Sequence, residues 1–318
     1  MKGHIIMENS IVVEEFVKKY DEKVVVDHVS FSVAKNEVFG LLGPNGAGKT
    51  TILESIIGLR SPTSGEIHMV NSNSATSRSK LLGKIALQPQ EANLYPNLRV
   101  REMLELFASL YEKSRPVFEV LEVVGLADKQ NVMVKKLTDG QKRRLLIAVS
   151  LVSDPEVLFL DEPTSSLDPH ARRYIWKVIK DMKKRGRSVL LTTHSMEEAE
   201  SLCDQIAILD HGKIIAQGKP QDLIFQHFPK QQLIFEVESA PTEEQLHELG
   251  VNELRITETS EGKKEVCITA TPITRHLLDS LISSNLFGSV EWEKIRIESG
   301  TLEDVFIELT GKTIRESI

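Results

Sequence analysis

The chain has 318 residues, 41% of them apolar and 27% charged, and carries a formal net charge of -7. That length exceeds one ordinary domain and suits two of unequal size, and the composition excludes a disordered chain. The acidic balance argues against general binding to phosphate backbones, which needs a basic surface, so nucleic acid is not an expected partner.

Cys203 and Cys267 are the only cysteines. They lie far apart, and neither a disulfide framework nor a zinc site is suggested. No apolar run approaches the ~18 residues needed to cross a bilayer, and the opening, with His4, Glu8 and Asn9, lacks a signal-peptide core. Any membrane function is therefore expected to come from a partner chain. The basic runs Lys142-Arg143-Arg144 and Lys183-Lys184-Arg185 fall in helical stretches and read as solvated faces.

In chain order, Ile5 to Phe39 reads as short β pieces forming a small sheet, with Val24, Val25, Val26 and then Val29, Phe31 and Val33 alternating against polar residues. From Val38 the pattern becomes strand, glycine loop, helix, and then repeats the strand and helix alternation of an α/β layer. Val157 to Leu160, Ser188 to Thr193 and Gln205 to Leu209 are expected core strands. Between Leu98 and Lys136, Val100, Met103, Leu104, Phe107 and Leu110 recur at helical spacing, which predicts a helical insert over about 91–150. The pattern resets after Phe228, giving an expected boundary between domains 1–228 and 229–318. The second domain reads strand 231–238, helix 243–249 with a Thr242/Gln245 capping box, strands 253–258 and 264–270, helix 272–285 and strand 289–297. That order is β-α-β-β-α-β, the ferredoxin-like arrangement, and a last helix from Leu302 to Leu309 closes the chain.

Gly43-Pro44-Asn45-Gly46-Ala47-Gly48-Lys49-Thr50 fits G-x-x-x-x-G-K-[ST], and it stands between the apolar run Val38 to Leu42 and a helical stretch from Thr51. Glycines let successive N–H groups turn toward phosphate oxygens, and the helix N-terminus adds partial positive charge. Lys49 would meet the outer phosphates and Thr50 would hold magnesium. Downstream, the buried strand Val157 to Leu160 ends in Asp161-Glu162, two acids placed one on each side of the strand axis. Asp161 would complete the magnesium shell, and Glu162 would act as general base on the attacking water.

With these motifs in place, residues from about Tyr20 to Gly218 resemble the ABC ATPase family. The resemblance implies an α/β P-loop ABC ATPase core with an antiparallel β subdomain and a helical insert, followed here by the small α+β domain. It gives Tyr20 to adenine stacking and Gly43 to Thr50, with Thr51, to the nucleotide. Gln90, chosen over Gln88, becomes the glutamine that contacts magnesium and faces the insert. Leu137-Thr138-Asp139-Gly140-Gln141 resembles the signature that closes over ATP bound to a second subunit. Asp139 departs from the family's glycine and would repel a γ-phosphate if it faced one. Ser165-Ser166-Leu167-Asp168 resembles the loop passing between subunits, and His194 the switch histidine at the γ-phosphate. The closing Leu302 to Gly311 resembles ATPase subunits of drug-resistance exporters of the daunorubicin kind, and the extra domain, which has no recognisable catalytic cluster, reads as a cap that stabilises a dimer in preference to a ligand sensor.

The expected protein is thus an ATPase using ATP and Mg2+, working as a pair, in first expectation two identical copies. It would sit on the cytoplasmic face of the membrane and drive separate multi-span permease subunits. Rival readings are an importer subunit, a soluble ABC ATPase acting on ribosomes or DNA, and a nucleotide-binding module that does not hydrolyse, for which Asp139 is the only support.

Overall fold

The structure is a computed structural model and describes residues 9–69, 83–90, 92–165, 167–237, 253–258, 264–283 and 295–312. Its contacts divide the chain into two units, one reaching Pro220 and taking back the residues from Leu309 onward, the other spanning Gln221–Glu308.

The first unit opens with β1 (Asn9–Tyr20) and β2 (Lys23–Ala34), an antiparallel hairpin of two twelve-residue strands. Short pieces were expected here. The register shifts between Val13 and Phe16, and left-handed backbone at Glu15 (φ 48°) and His28 (φ 51°) resets the alternation, so a period-two reading sees fragments. β3 (Val38–Leu42) leads into helix α1 (Lys49–Ile56), and β4 (Ser64–Met69) then pairs with β1 to complete a three-stranded sheet.

The main sheet has six strands in the order β5-β6-β7-β3-β8-β9. β5 (Ile85–Gln88) is followed by α2 (Val100–Ala108), α3 (Val117–Val123), two single 3₁₀ turns and α4 (Asp139–Leu151), which together make the helical insert. β6 (Val157–Asp161), α5 (Pro169–Lys184), β7 (Ser188–Thr193), α6 (Met196–Leu202), β8 (Gln205–Asp210) and β9 (Lys213–Gly218) complete the unit. All pairings are parallel except β8 with β9. β3, β6 and β7 are buried along their whole length, which is why they read as continuous apolar runs rather than alternating ones. Val100, Met103 and Leu104 are buried as expected, whereas Leu110 lies beyond α2 and is 70% exposed.

The second unit begins with most of α7 (Pro220–His227). β10 (Gln231–Val237), β11 (Glu253–Glu258), β12 (Lys264–Ala270), α8 (Arg275–Ser283), β13 (Arg296–Glu298) and α9 (Leu302–Thr310) follow. The strand order β11-β12-β10-β13 is antiparallel throughout. The described strands, with one helix between β12 and β13, follow the β-α-β-β-α-β succession expected from the sequence as far as the described residues reach. Leu233, Phe235, Val266, Ile268 and Leu281 form its core. The expected helix 243–249 and its capping box lie outside the described residues.

No described helix is long and apolar enough to cross a membrane.

Candidate functional site

The phosphate loop is built where β3 hands over to α1. A Cβ on Gly43 would stand 2.3 Å from the Leu209 carbonyl oxygen of β8, so only glycine lets the chain pass so close to that strand. Gly48 caps α1 in left-handed backbone (φ 102°) that side chains rarely adopt, and it carries nothing that would cover the first N–H groups of the helix. Those donors and the partial positive helix end are left available to an anion.

Lys49 is 5% exposed and donates from Nζ to the Gly43 and Pro44 carbonyls at 2.7 and 2.9 Å. Burial pushes its pKa down, opposed by the negative charges of Glu162 and Asp161. Next to it, Thr50 Oγ1 donates to the Asp161 carboxylate, 3.2 and 3.1 Å from its two oxygens. Thr192 of β7 donates to the same carboxylate. Burial pushes the Asp161 pKa up, and the Thr192 and Thr50 bonds oppose that shift. A buried carboxylate beside a threonine hydroxyl, both hard oxygen donors, fits magnesium.

The two acids were expected on opposite sides of their strand. Both instead reach α1, Asp161 through Thr50 and Glu162 through Lys49 Nζ, 3.8 Å from Oε1. The cause is local, because Glu162 adopts left-handed backbone (φ 47°) where β6 ends and the alternation of an extended strand stops. Glu162 Oε2 also accepts from Gln90 Nε2 at 3.4 Å and lies 3.3 Å from His194 Nδ1. The His194 bond, first among the causes, holds the Glu162 pKa down and in turn raises that of His194. Val25, Gly46, Lys49, Thr50, Gln90 and Glu162 are among the residues lining a cavity of about 240 Å³. Gln88, the rival of Gln90, is fully buried in β5.

The other expected residues stand around this centre. Thr138 caps α4, its hydroxyl accepting from Gln141 N at 3.3 Å while Gln141 Oε1 accepts from Thr138 N at 3.1 Å. Asp139 points to water, its side chain 91% exposed and paired with Lys142 at 3.0 Å. None of Leu137 to Gln141 lines the cavity beside Lys49. Ser165 Oγ donates to the Glu162 carbonyl at 3.1 Å. Asp168 caps α5, accepting from His170 N and Ala171 N at 2.9 and 3.0 Å. Ser166 lies outside the described residues. Tyr20 ends β1 and does not line the cavity; its hydroxyl accepts from Arg60 at 2.8 Å, and Lys18 lies 5.0 Å from its ring.

Arg143 corrects the sequence reading. Expected on a solvated face, it is 8% exposed and donates to carbonyls of Gln90 (2.6 Å), Asp161 (3.2 Å), Pro163 (3.0 Å) and Glu162. A signal was present in the sequence, since Arg143, Ile147, Ser150 and Leu151 recur at helical spacing and are all buried, so the arginine belongs to the inward stripe of α4.

Residues 26–165 match the ABC transporter family. The Nod factor export ATP-binding protein I of Bradyrhizobium diazoefficiens is 38% identical over 94% of this chain and 95% of its own. The protein of the same name from Ralstonia nicotianae is 36% identical over 96% and 94%. Among solved structures, cbiO1 of Clostridium perfringens, part of the ABC transporter complex cbiONQ, superposes with a TM-score of 0.62 at 29% identity, covering 69% of this chain and 92% of that one. An ATP-binding subunit of an ABC transporter gives a TM-score of 0.61 at 29% identity, covering 68% and 92%.

Proposed function

Because the chain belongs to the ABC transporter family as an ATP-binding subunit, we propose that it hydrolyses ATP at the Gly43–Thr51 loop to drive export through separate membrane-spanning subunits. The observation that carries this reading is the meeting of Lys49, Gln90 and His194 on the Glu162 carboxylate at the mouth of the loop. The family binds ATP with Mg2+, and Thr50, Asp161 and Gln90 are the residues that would hold the ion. When bound there, magnesium would supply positive charge to offset the charge that develops on the transferred phosphoryl group.

The residues of the chain divide the remaining work. Lys49 exchanges its two bonds to loop carbonyls for phosphate oxygens and carries part of the transition-state charge. Glu162 is kept ionised by its partners, takes the proton of the attacking water and, with His194, orients it for in-line attack. The family resemblance gives Tyr20 to the adenine, while in this chain its ring lies outside the cavity against Lys18 and Arg60.

The segment Leu137–Gln141 stands outside this cavity, which favours its use on ATP held by a second copy of the chain. The same pairing makes hydrolysis dependent on dimerisation. Export is the direction borne by the names of the relatives, and placement on the cytoplasmic face follows from the need for ATP. Purification from detergent-solubilised membranes tests the assignment: a multi-span partner should copurify and should stimulate Mg-ATP hydrolysis. A chain that brings down no such protein, or hydrolyses no ATP with it, refutes the reading.

A further inference from the structure

We infer that Arg143 is a positioning residue, which holds Glu162 and Gln90 in register and ties their placement to the signature helix α4. The inference rests on the reading of Glu162 as general base. The Arg143 guanidinium is buried, and among the described residues its hydrogen bonds go to main-chain carbonyls rather than to a carboxylate. Burying a guanidinium costs free energy, which these carbonyls and the nearby charges of Asp161 and Glu162 offset, and an arginine used only for packing could be replaced by an apolar residue like its stripe neighbours Ile147 and Leu151.

The identity of the four carbonyls supplies the role. They belong to Gln90, which follows β5, and to Asp161, Glu162 and Pro163 at the end of β6. One planar fork thus clamps the main chain beneath both side chains of the Gln90–Glu162 contact, a geometry that a single ammonium cannot reproduce. Glu162 needs such support, because left-handed backbone (φ 47°) is costly for a residue with a side chain. Its N–H is held by Thr192 Oγ1 at 3.0 Å, and its carbonyl by Arg143 and Ser165.

The other end of the lever is α4. Arg143 stands two residues beyond Gln141 on a helix whose first turn is locked by the Thr138–Gln141 capping box. A shift of the signature segment as it engages a partner's nucleotide therefore reaches the Glu162 carbonyl of its own subunit through one side chain.

The test is a double-mutant cycle on the purified full chain with its membrane subunits, with kcat and KM for ATP measured and the slowest variants followed by single turnover. Arg143→Met should lower kcat about 10- to 100-fold, the scale of a small misplacement of a catalytic group, and leave KM within about twofold. Arg143→Lys should recover only part of the loss. In a Glu162→Gln background Arg143→Met should cost nothing further, because both changes act on the same group. Wild-type kcat in Arg143→Met, a loss carried by KM, or losses that multiply in the double variant would each overturn the inference. If Arg143→Met does not fold, Arg143→Lys, which keeps the charge in place, carries the same comparison. Wild-type turnover in Glu162→Gln alone would instead overturn the general-base reading, and with it the route through which Arg143 acts.

Discussion

His194 Nδ1 lies 3.3 Å from Glu162 Oε2, and this one contact leads the causes that move both groups, Glu162 downward and His194 upward. The lowered Glu162 pKa keeps the base ionised further into acid, so His194→Ala should let it rise. The acid limb of the kcat/KM profile, which reports the free enzyme, should move to higher pH in the variant. For stability, the raised histidine contributes fully below its ordinary pKa of 6.5 and loses that contribution as pH rises through the folded value. Glu162 contributes above its ordinary 4.5 and loses it as pH falls through its lowered value. The stability gap between wild type and His194→Ala should therefore be widest between those limits and fade toward alkaline pH. Superimposable pH–rate profiles would refute the coupling.

Lys49→Ala removes the buried cation nearest the expected phosphates and leaves the negative charges of Asp161 and Glu162 opposed at shorter range by nothing on α1. Turnover should fall by at least two orders of magnitude, as for loss of a preorganised charge at the reacting group. Nucleotide affinity, measured by isothermal calorimetry with Mg-ATP, should weaken as well. A variant with wild-type turnover would move the phosphate site elsewhere.

Much of this site could be read from sequence because its chemistry is local. Gly43 to Thr50 is contiguous, and Asp161-Glu162 ends a strand whose burial on both faces writes itself as an unbroken apolar run. The hairpin of β1 and β2 was harder, since bulges at Glu15 and His28 break the period on which strand reading depends. The common side taken by Asp161 and Glu162 also depends on a single left-handed residue that no periodicity announces. Arg143 was missed for a different reason. A charge run is ordinarily solvated, and its burial follows from carbonyls that lie 18 to 53 positions away in the chain.

Asp139 was expected to disturb the signature if it faced a γ-phosphate. Its side chain is exposed and paired with Lys142, an arrangement that is worth little at a surface and that suits a carboxylate in the first turn of a helix. Asp139→Ala should therefore change ATP turnover by no more than about twofold, on the scale of a surface ion pair. A tenfold rise in turnover would show that the carboxylate enters the interface when two subunits close.

Glu162→Gln separates binding from chemistry most sharply, because it keeps the size of the side chain and removes its charge and basicity. Lys49 would retain its bonds to the Gly43 and Pro44 carbonyls, and Thr50 and Asp161 would keep each other, since neither contact involves Glu162. ATP should still bind. Loss of a general base costs about 100- to 10,000-fold in rate, so ATP should persist in the site and hold two subunits together through Leu137–Gln141. Light scattering or size-exclusion chromatography with Mg-ATP should show a dimer in the variant that the wild type, which clears its nucleotide, does not accumulate. Hydrolysis at the wild-type rate would remove Glu162 from the role of base. Slow hydrolysis with no dimer at any ATP concentration would leave the base in place and refute the shared site.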